Sequence, residues 1–153
     1  MRIGVGADHA GYALKEAIKS FLPDFDVEVV DYGAGSETSV DYPEFGFAVA
    51  DAVAGAQCDR GILVCKSGIG MSIVANKVYG VRAALCYDAE AASLSRAHND
   101  SNILVLGSAW VDAGGARNIV KVWLETPFEG GRHLRRLEGI LNFEREHSSR
   151  GRG

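Results

Sequence analysis

A chain of 153 residues, 47% hydrophobic and 24% charged, has the make-up of one globular domain, and a domain of that size buries roughly two thirds of the surface its unfolded form exposes, with no need of disulfide staples. The net charge of −4 excludes a general nucleic-acid binder, which would be basic, but not a small anion held by a local basic patch. Cys58, Cys65 and Cys86 are odd in number and follow no metal-ligand spacing, which points to a reducing, cytoplasmic setting; apolar runs no longer than strands predict neither a signal peptide nor a membrane span.

Residues 2–6 (RIGVG) read as a first strand, and Asp8-His9-Ala10-Gly11 leads into a helix with Leu14, Ile18 and Phe21 on one face, closed by Pro23. Residues 27–31 make a second strand, followed by a Gly-, Ser- and Thr-rich surface loop over 33–41. Tyr42-Pro43 opens the second helix, with Pro43 in the first turn where a missing N–H costs nothing. It runs through Phe47, Val49, Ala50 and Val53 to Gly55.

The most informative stretch is 60–77, RGILVCKSGIGMSIVANK. Ile62, Leu63 and Val64 form a buried strand that ends at Cys65. Gly68 and Gly70 break the pattern, and Met71, Ile73 and Val74 resume it at the spacing of a helix packed on a sheet. Strand four is expected over 81–86, a helix capped by Asp88 over 89–97, strand five over 103–106, and a fifth helix over 111–124. Pro127 and Gly130-Gly131 interrupt the pattern before a last helix over 132–146, with Leu134, Leu137, Ile140, Leu141 and Phe143 available for packing, and a frayed tail over 148–153. No repeat or linker divides the chain, so residues 1–147 are read as a single domain. Alternating strands and helices predict an α/β, three-layer Rossmann-like domain: a five-stranded parallel sheet, helices on both faces and an extra C-terminal helix.

Ligands of such sheets bind beyond the carboxyl ends of the strands, where the strand order reverses. Asp8 and His9 follow strand one there, and Cys65 with its glycine bend follows strand three. Asp8 read alone is a helix N-cap, and His9 a solvated loop residue. A helix N-terminus favours the thiolate over the thiol, so a cysteine in that place suits proton transfer or attack on carbon, and Ser67 could donate to the sulfur. The N–H groups of 67–72 would converge beside it. A phosphate cradle without chemistry is the competing reading, because the bend lacks both the Walker lysine pattern and the GxGxxG spacing.

Two further polar clusters stand apart. The run His98-Asn99-Asp100-Ser101-Asn102 lies between the fourth helix and strand five, hence at the amino ends of the strands, on the far side of the sheet from Cys65. If both clusters serve one site, two subunits must supply them. Arg132 and Arg136 share a face of the last helix, a good spacing for gripping a phosphate with two forks.

Five separated motifs, ADHAG, DYP at 41–43, CxSGIGMSI-ANK around Cys65, LSRxHNDxNILVLG across 94–107 and EGGRHxxR across 129–136, together resemble the type B ribose-5-phosphate isomerase family over nearly the whole chain. The chain is similar also to the galactose-6-phosphate isomerase subunits. The resemblance implies an aldose–ketose isomerisation of a phosphorylated pentose through a cis-enediolate, with no metal or organic cofactor. It implies Cys65 as the base, tuned by Ser67, and the N–H groups around Gly68, Ile69, Gly70, Met71 and Ser72 as an oxyanion hole. Asp8 and Tyr42 would orient the sugar. His98 from a partner subunit would open the furanose ring, Asn99 would bind a substrate oxygen, and His9, Arg132 and Arg136 would hold the phosphate. The implied assembly is a homodimer with shared sites, often paired into a tetramer.

Two departures from the family pattern stand out. Lys66 replaces a common glycine, and Ala109 stands where the family commonly has the arginine of GSR. We expect Lys66 to replace the lost cation in part, the other readings being a solvated lysine or a different preferred sugar phosphate. A phosphate-binding module that keeps the fold without catalysis is the remaining alternative, and keeping Cys65, His98 and Asn99 together argues against it.

Overall fold

The computed structural model describes residues 1–148. Five strands alternate with helices in the order β1 (Arg2–Ala7), α1 (Tyr12–Phe21), β2 (Glu28–Asp31), α2 (Tyr42–Ala54), β3 (Arg60–Cys65), α3 (Ile69–Ala75), β4 (Ala83–Leu85), α4 (Ala89–Asn99), β5 (Ile103–Gly107), α5 (Ala113–Glu125) and α6 (Arg132–His147). All pairings are parallel and the sheet order is β2-β1-β3-β5-β4. The chain runs outward from β1 to β2 and then crosses back to β3, so the reversal falls between β1 and β3, whose carboxyl ends carry Asp8 and Cys65.

Period-two alternation within the central strands divides the core between the two faces. Ile62 and Val64 of β3 join Ile3, Val5, Leu104 and Leu106 beneath α1 and α5, whereas Leu63 and Cys65 join Val49, Met71, Ala75 and Val105 beneath α2 and α3. β3 is thus buried on both sides, as its uninterrupted apolar run requires. Cys58 and Cys86 are buried as small apolar residues, and burial pushes the Cys86 thiol up to about 11. All three cysteines are free.

Several sequence expectations are corrected. β4 is only three residues long; at its start Asn102 Oδ1 accepts from the Arg82 N–H and Asn76 Oδ1 from the Ala83 N–H. α4 extends two residues past its expected end, so His98 and Asn99 belong to its last turn and not to the following loop; the helix stops at Asp100, whose φ of 45° is left-handed. Ile73 of α3 faces outward, 57% exposed, while Met71 and Val74 pack inward. On α6 only Leu137 of the expected apolar set is buried, and Leu134, Ile140 and Phe143 stand exposed. The expected tail falls, beyond Ser148, outside the described residues.

Candidate active site

Asp8, Tyr42, Cys65, Lys66, Ser67, Ile69, Gly70 and Ile73 line one cavity of about 440 Å³ at the β1–β3 reversal. The sequence pattern places each of them there for a local reason. Asp8 follows the last residue of β1, is nearly buried, and its Oδ1 accepts the Gly11 N–H at 2.9 Å, which closes the turn into α1 in the manner of a cap. Next to it, Nδ1 of His9 lies 3.2 Å from both the N and O of Val40, tying the β1 loop to the segment before α2. Tyr42 is the first residue of α2 and is 40% exposed.

Cys65 is the last residue of β3 and is 5% exposed. Gly68 then takes a φ of +80°, a left-handed conformation, and a Cβ at that position would lie 2.4 Å from Leu85 Cδ1; the bend therefore needs glycine. With the chain so turned, the Gly68 N–H donates to Cys65 Sγ at 3.2 Å and the Ile69 N–H to Ser67 Oγ at 3.2 Å. The Ser72 N–H is already engaged by the Gly68 carbonyl. Among the described residues the N–H groups of Gly70 and Met71 meet no acceptor, and they open α3 beside the sulfur. Met71 contributes only its backbone, because its side chain is in the core. Lys66 is exposed on the rim of the cavity, and its carbonyl accepts the Ala109 N–H from the loop after β5.

His98, Asn99, Arg132 and Arg136 lie elsewhere. In the β3–β5 ladder Cys65 pairs with Gly107 and Gly61 with Ile103, so the turn of α4 that carries His98 enters β5 at the amino end, about 13 Å of strand away from the thiol. The His98 ring stacks on that of His133, centroids 4.2 Å apart and planes 13° from parallel. The carboxylate of Glu129 lies near Nε2 of both imidazoles, and its backbone N–H donates to the Ala97 carbonyl. Burial, together with the nearby His98 and Arg132, pushes the pKa of His133 down. Arg132 and Arg136 are exposed one turn apart at the start of α6. The α4 and α6 motifs are thus one cluster, and the β1, α2 and β3 motifs another, at opposite ends of the same sheet. Glu129 and His133 went unassigned in the sequence; the signal was the glycine pair between them.

Comparison with known proteins gives one consistent picture. The ribose/galactose isomerase family matches residues 3–140. Ribose-5-phosphate isomerase B of Escherichia coli is 46% identical over 143 residues, 94% of this chain and 96% of that protein. Among solved structures, ribose-5-phosphate isomerase B of Clostridium thermocellum superposes with a TM-score of 0.94 at 49% identity, over 96% of this chain and 99% of that one. The Mycoplasma genitalium ribose-5-phosphate isomerase B, solved with bound ribulose 5-phosphate, gives 0.90 at 41% identity, over 95% and 97%. No described helix is long and apolar enough to cross a membrane.

Proposed function

We propose that this chain, which belongs to the ribose/galactose isomerase family, interconverts ribose 5-phosphate and ribulose 5-phosphate at a site assembled from two protomers. One observation carries the reading: the residues that match the family's motifs fall into two clusters at opposite ends of one sheet, and neither cluster alone holds both a base and a ring-opening group.

In this reading Cys65 is the base. Its sulfur removes the proton from C2 and returns it to C1 while the hydroxyl proton passes from O2 to O1, and the Gly68 N–H donates to that sulfur. The charge that develops on the enediolate oxygen is met by the N–H groups of Gly70 and Met71, fixed in advance at the start of α3. Gly68, Ile69 and Ser72 build the turn that presents them, and Ser67 holds its first N–H. Asp8 and Tyr42 orient the hydroxyls. From the second protomer, His98 opens the furanose ring and Asn99 binds an oxygen near the reacting carbons. His9, Arg132 and Arg136 hold the phosphate, with Lys66 as a further cation at the rim. Aldose and ketose are isomers, so the shuttle calls for no oxidant, reductant or organic cofactor.

Co-expression of differently tagged chains tests the shared site. Cys65→Ala and His98→Gln assemblies are each expected to lose activity. A mixed dimer regains one intact site in two, so a random mixture recovers about a quarter of wild-type turnover. A silent mixture beside an active wild type would place both groups in one chain. The paired departures at Lys66 and Ala109 favour a second reading, a preference for another sugar phosphate such as an allose, galactose or tetrose phosphate, which a substrate panel separates.

A further inference from the structure

The turn between α5 and α6 brings forward two residues that the reaction above does not use. Gly130 and Gly131 have φ of +67° and +58°, and this left-handed pair folds the chain so that Glu129 and His133 face each other. The hydrogen bond from the Glu129 N–H to the Ala97 carbonyl, 3.0 Å, fastens that turn to the end of α4, beside His98. As a result Oε2 of Glu129 lies 3.5 Å from His133 Nε2 and 3.9 Å from His98 Nε2, and the three ligand atoms all fall within 4.8 Å of one another. The longer distance is beyond a hydrogen bond and the shorter at its limit. The carboxylate oxygen lies near the Nε2 atoms of both rings and serves neither one closely.

We propose that His98, Glu129 and His133 form a binding site for a divalent transition-metal ion of the zinc type, and that the bound ion holds the enzyme off by taking Nε2 of His98. The binding stands on the cluster itself; the inhibition rests on the role given to His98 above. Two imidazole nitrogens and one carboxylate oxygen are a zinc donor set, and magnesium or calcium would require oxygen ligands throughout. Bond lengths of about 2.0–2.2 Å in a tetrahedron put ligand atoms about 3.3 Å apart, so the Glu129–His133 edge is already near its final length. An ion must lie in the plane of each imidazole it binds, and two stacked rings cannot both meet that condition. His98 is the ring that turns, because its side chain is 38% exposed while that of His133 is 7% exposed. The fourth position stays open to water.

Calorimetric titration with Zn²⁺ and the absorption spectrum with Co²⁺, on the untagged full chain, test the site. One ion per chain is expected. Glu129→Gln and His133→Gln should each weaken binding by at least about tenfold, the scale seen on losing even an outer partner of a ligand. Glu129 is exposed, so its variant keeps the test sound should His133→Gln fail to fold. Cys65→Ala should bind as the wild type does, and the Co²⁺ spectrum should lack a thiolate charge-transfer band. Zn²⁺ should inhibit turnover, EDTA should reverse it, and Glu129→Gln should keep turnover but lose the sensitivity. Undiminished binding in both the Glu129 and His133 variants, or binding lost with Cys65, would overturn the site. A wild type without isomerase activity would overturn the function and the inhibition, while the calorimetry and spectra would still decide the binding.

Discussion

The backbone N–H of Ala109 donates to the carbonyl of Lys66 at 2.9 Å, so the two positions that the sequence reading expects to differ from the family pattern are hydrogen-bonded neighbours on adjoining loops. A lysine side chain from one and an arginine from the other would start from neighbouring backbone positions, Lys66 being on the cavity rim.

Lys66→Ala is accordingly expected to raise the KM for ribose 5-phosphate about fivefold, the scale of one solvent-exposed charge pair of about 1 kcal/mol, with a smaller effect on kcat. Ala109→Arg in that background should bring the KM back. Steady-state kinetics on the two variants check this, and an unchanged KM for Lys66→Ala would show that the lysine points to solvent.

The glycine bend gives a second prediction. Gly68→Ala forces a side chain into a left-handed φ of +80° and against Leu85, and should destabilise the fold by about 1–3 kcal/mol. It also displaces the N–H aimed at Cys65, so kcat should fall by more than KM changes. Thermal denaturation and kinetics measure the two effects separately.

Much of this was legible in the sequence, and the failures have physical causes. The buried run of β3, the break at Gly68 and the Pro43 start of α2 are local signals, and the structure has each of them. The lateral order of the strands is not local. β5 lies between β3 and β4, and an apolar run buried on both faces carries no mark of its neighbours. The outward Ile73 and the bare Leu134, Ile140 and Phe143 of α6 show the same limit, because periodicity defines an apolar face without saying what covers it. The polar run 98–102 reads as lying between the fourth helix and strand five, yet the helix continues to Asn99; Arg96, buried beneath it, donates to the Ser101 carbonyl and anchors the turn one step later. In the site, the hydrogen bond between the Lys66 and Ala109 loops and the meeting of Glu129 with two imidazoles depend on elements far apart in sequence.

A third prediction concerns pH. Partial burial of Asp31 works against its ionisation, but hydrogen bonds from Lys15, Lys19 and the Gly33 N–H outweigh it and hold the carboxyl below its ordinary pKa. A depressed carboxyl pKa stabilises the fold above the unfolded value and loses that contribution as pH falls through the folded one. The urea-midpoint difference between wild type and Asp31→Asn should therefore be largest near about pH 7 and shrink toward about pH 3. A difference that does not vary with pH would show that Asp31 contributes no linked proton.

Lys15 is the buried end of the same network. It is 1% exposed and its ammonium donates to Asp31 at 2.8 Å and to the Ala34 carbonyl at 2.6 Å. Lys15→Met fills the space but leaves that carbonyl without its donor, while Lys19 continues to serve Asp31. Equilibrium unfolding should register a loss of about 2–3 kcal/mol, less than for a buried pair with no second cation. Lys15→Ala should cost more, since it also leaves a cavity.

The last prediction tests the polar core beneath the His98 turn. Ser101 is 1% exposed, its hydroxyl accepts from Trp123 Nε1 at 2.8 Å, and it lies 2.9 Å from Ser95 Oγ. Ser101→Ala leaves the fully buried indole N–H with no acceptor, a cost of about 2 kcal/mol. Trp123→Phe removes that donor but also part of the ring, so it carries a packing loss of its own. The two changes should be non-additive: in the Trp123→Phe background Ser101→Ala should cost about 1 kcal/mol less than in the wild type. A double-mutant cycle by urea unfolding measures this coupling, and strictly additive losses would show that the hydroxyl stabilises the fold through Ser95 and not through the tryptophan.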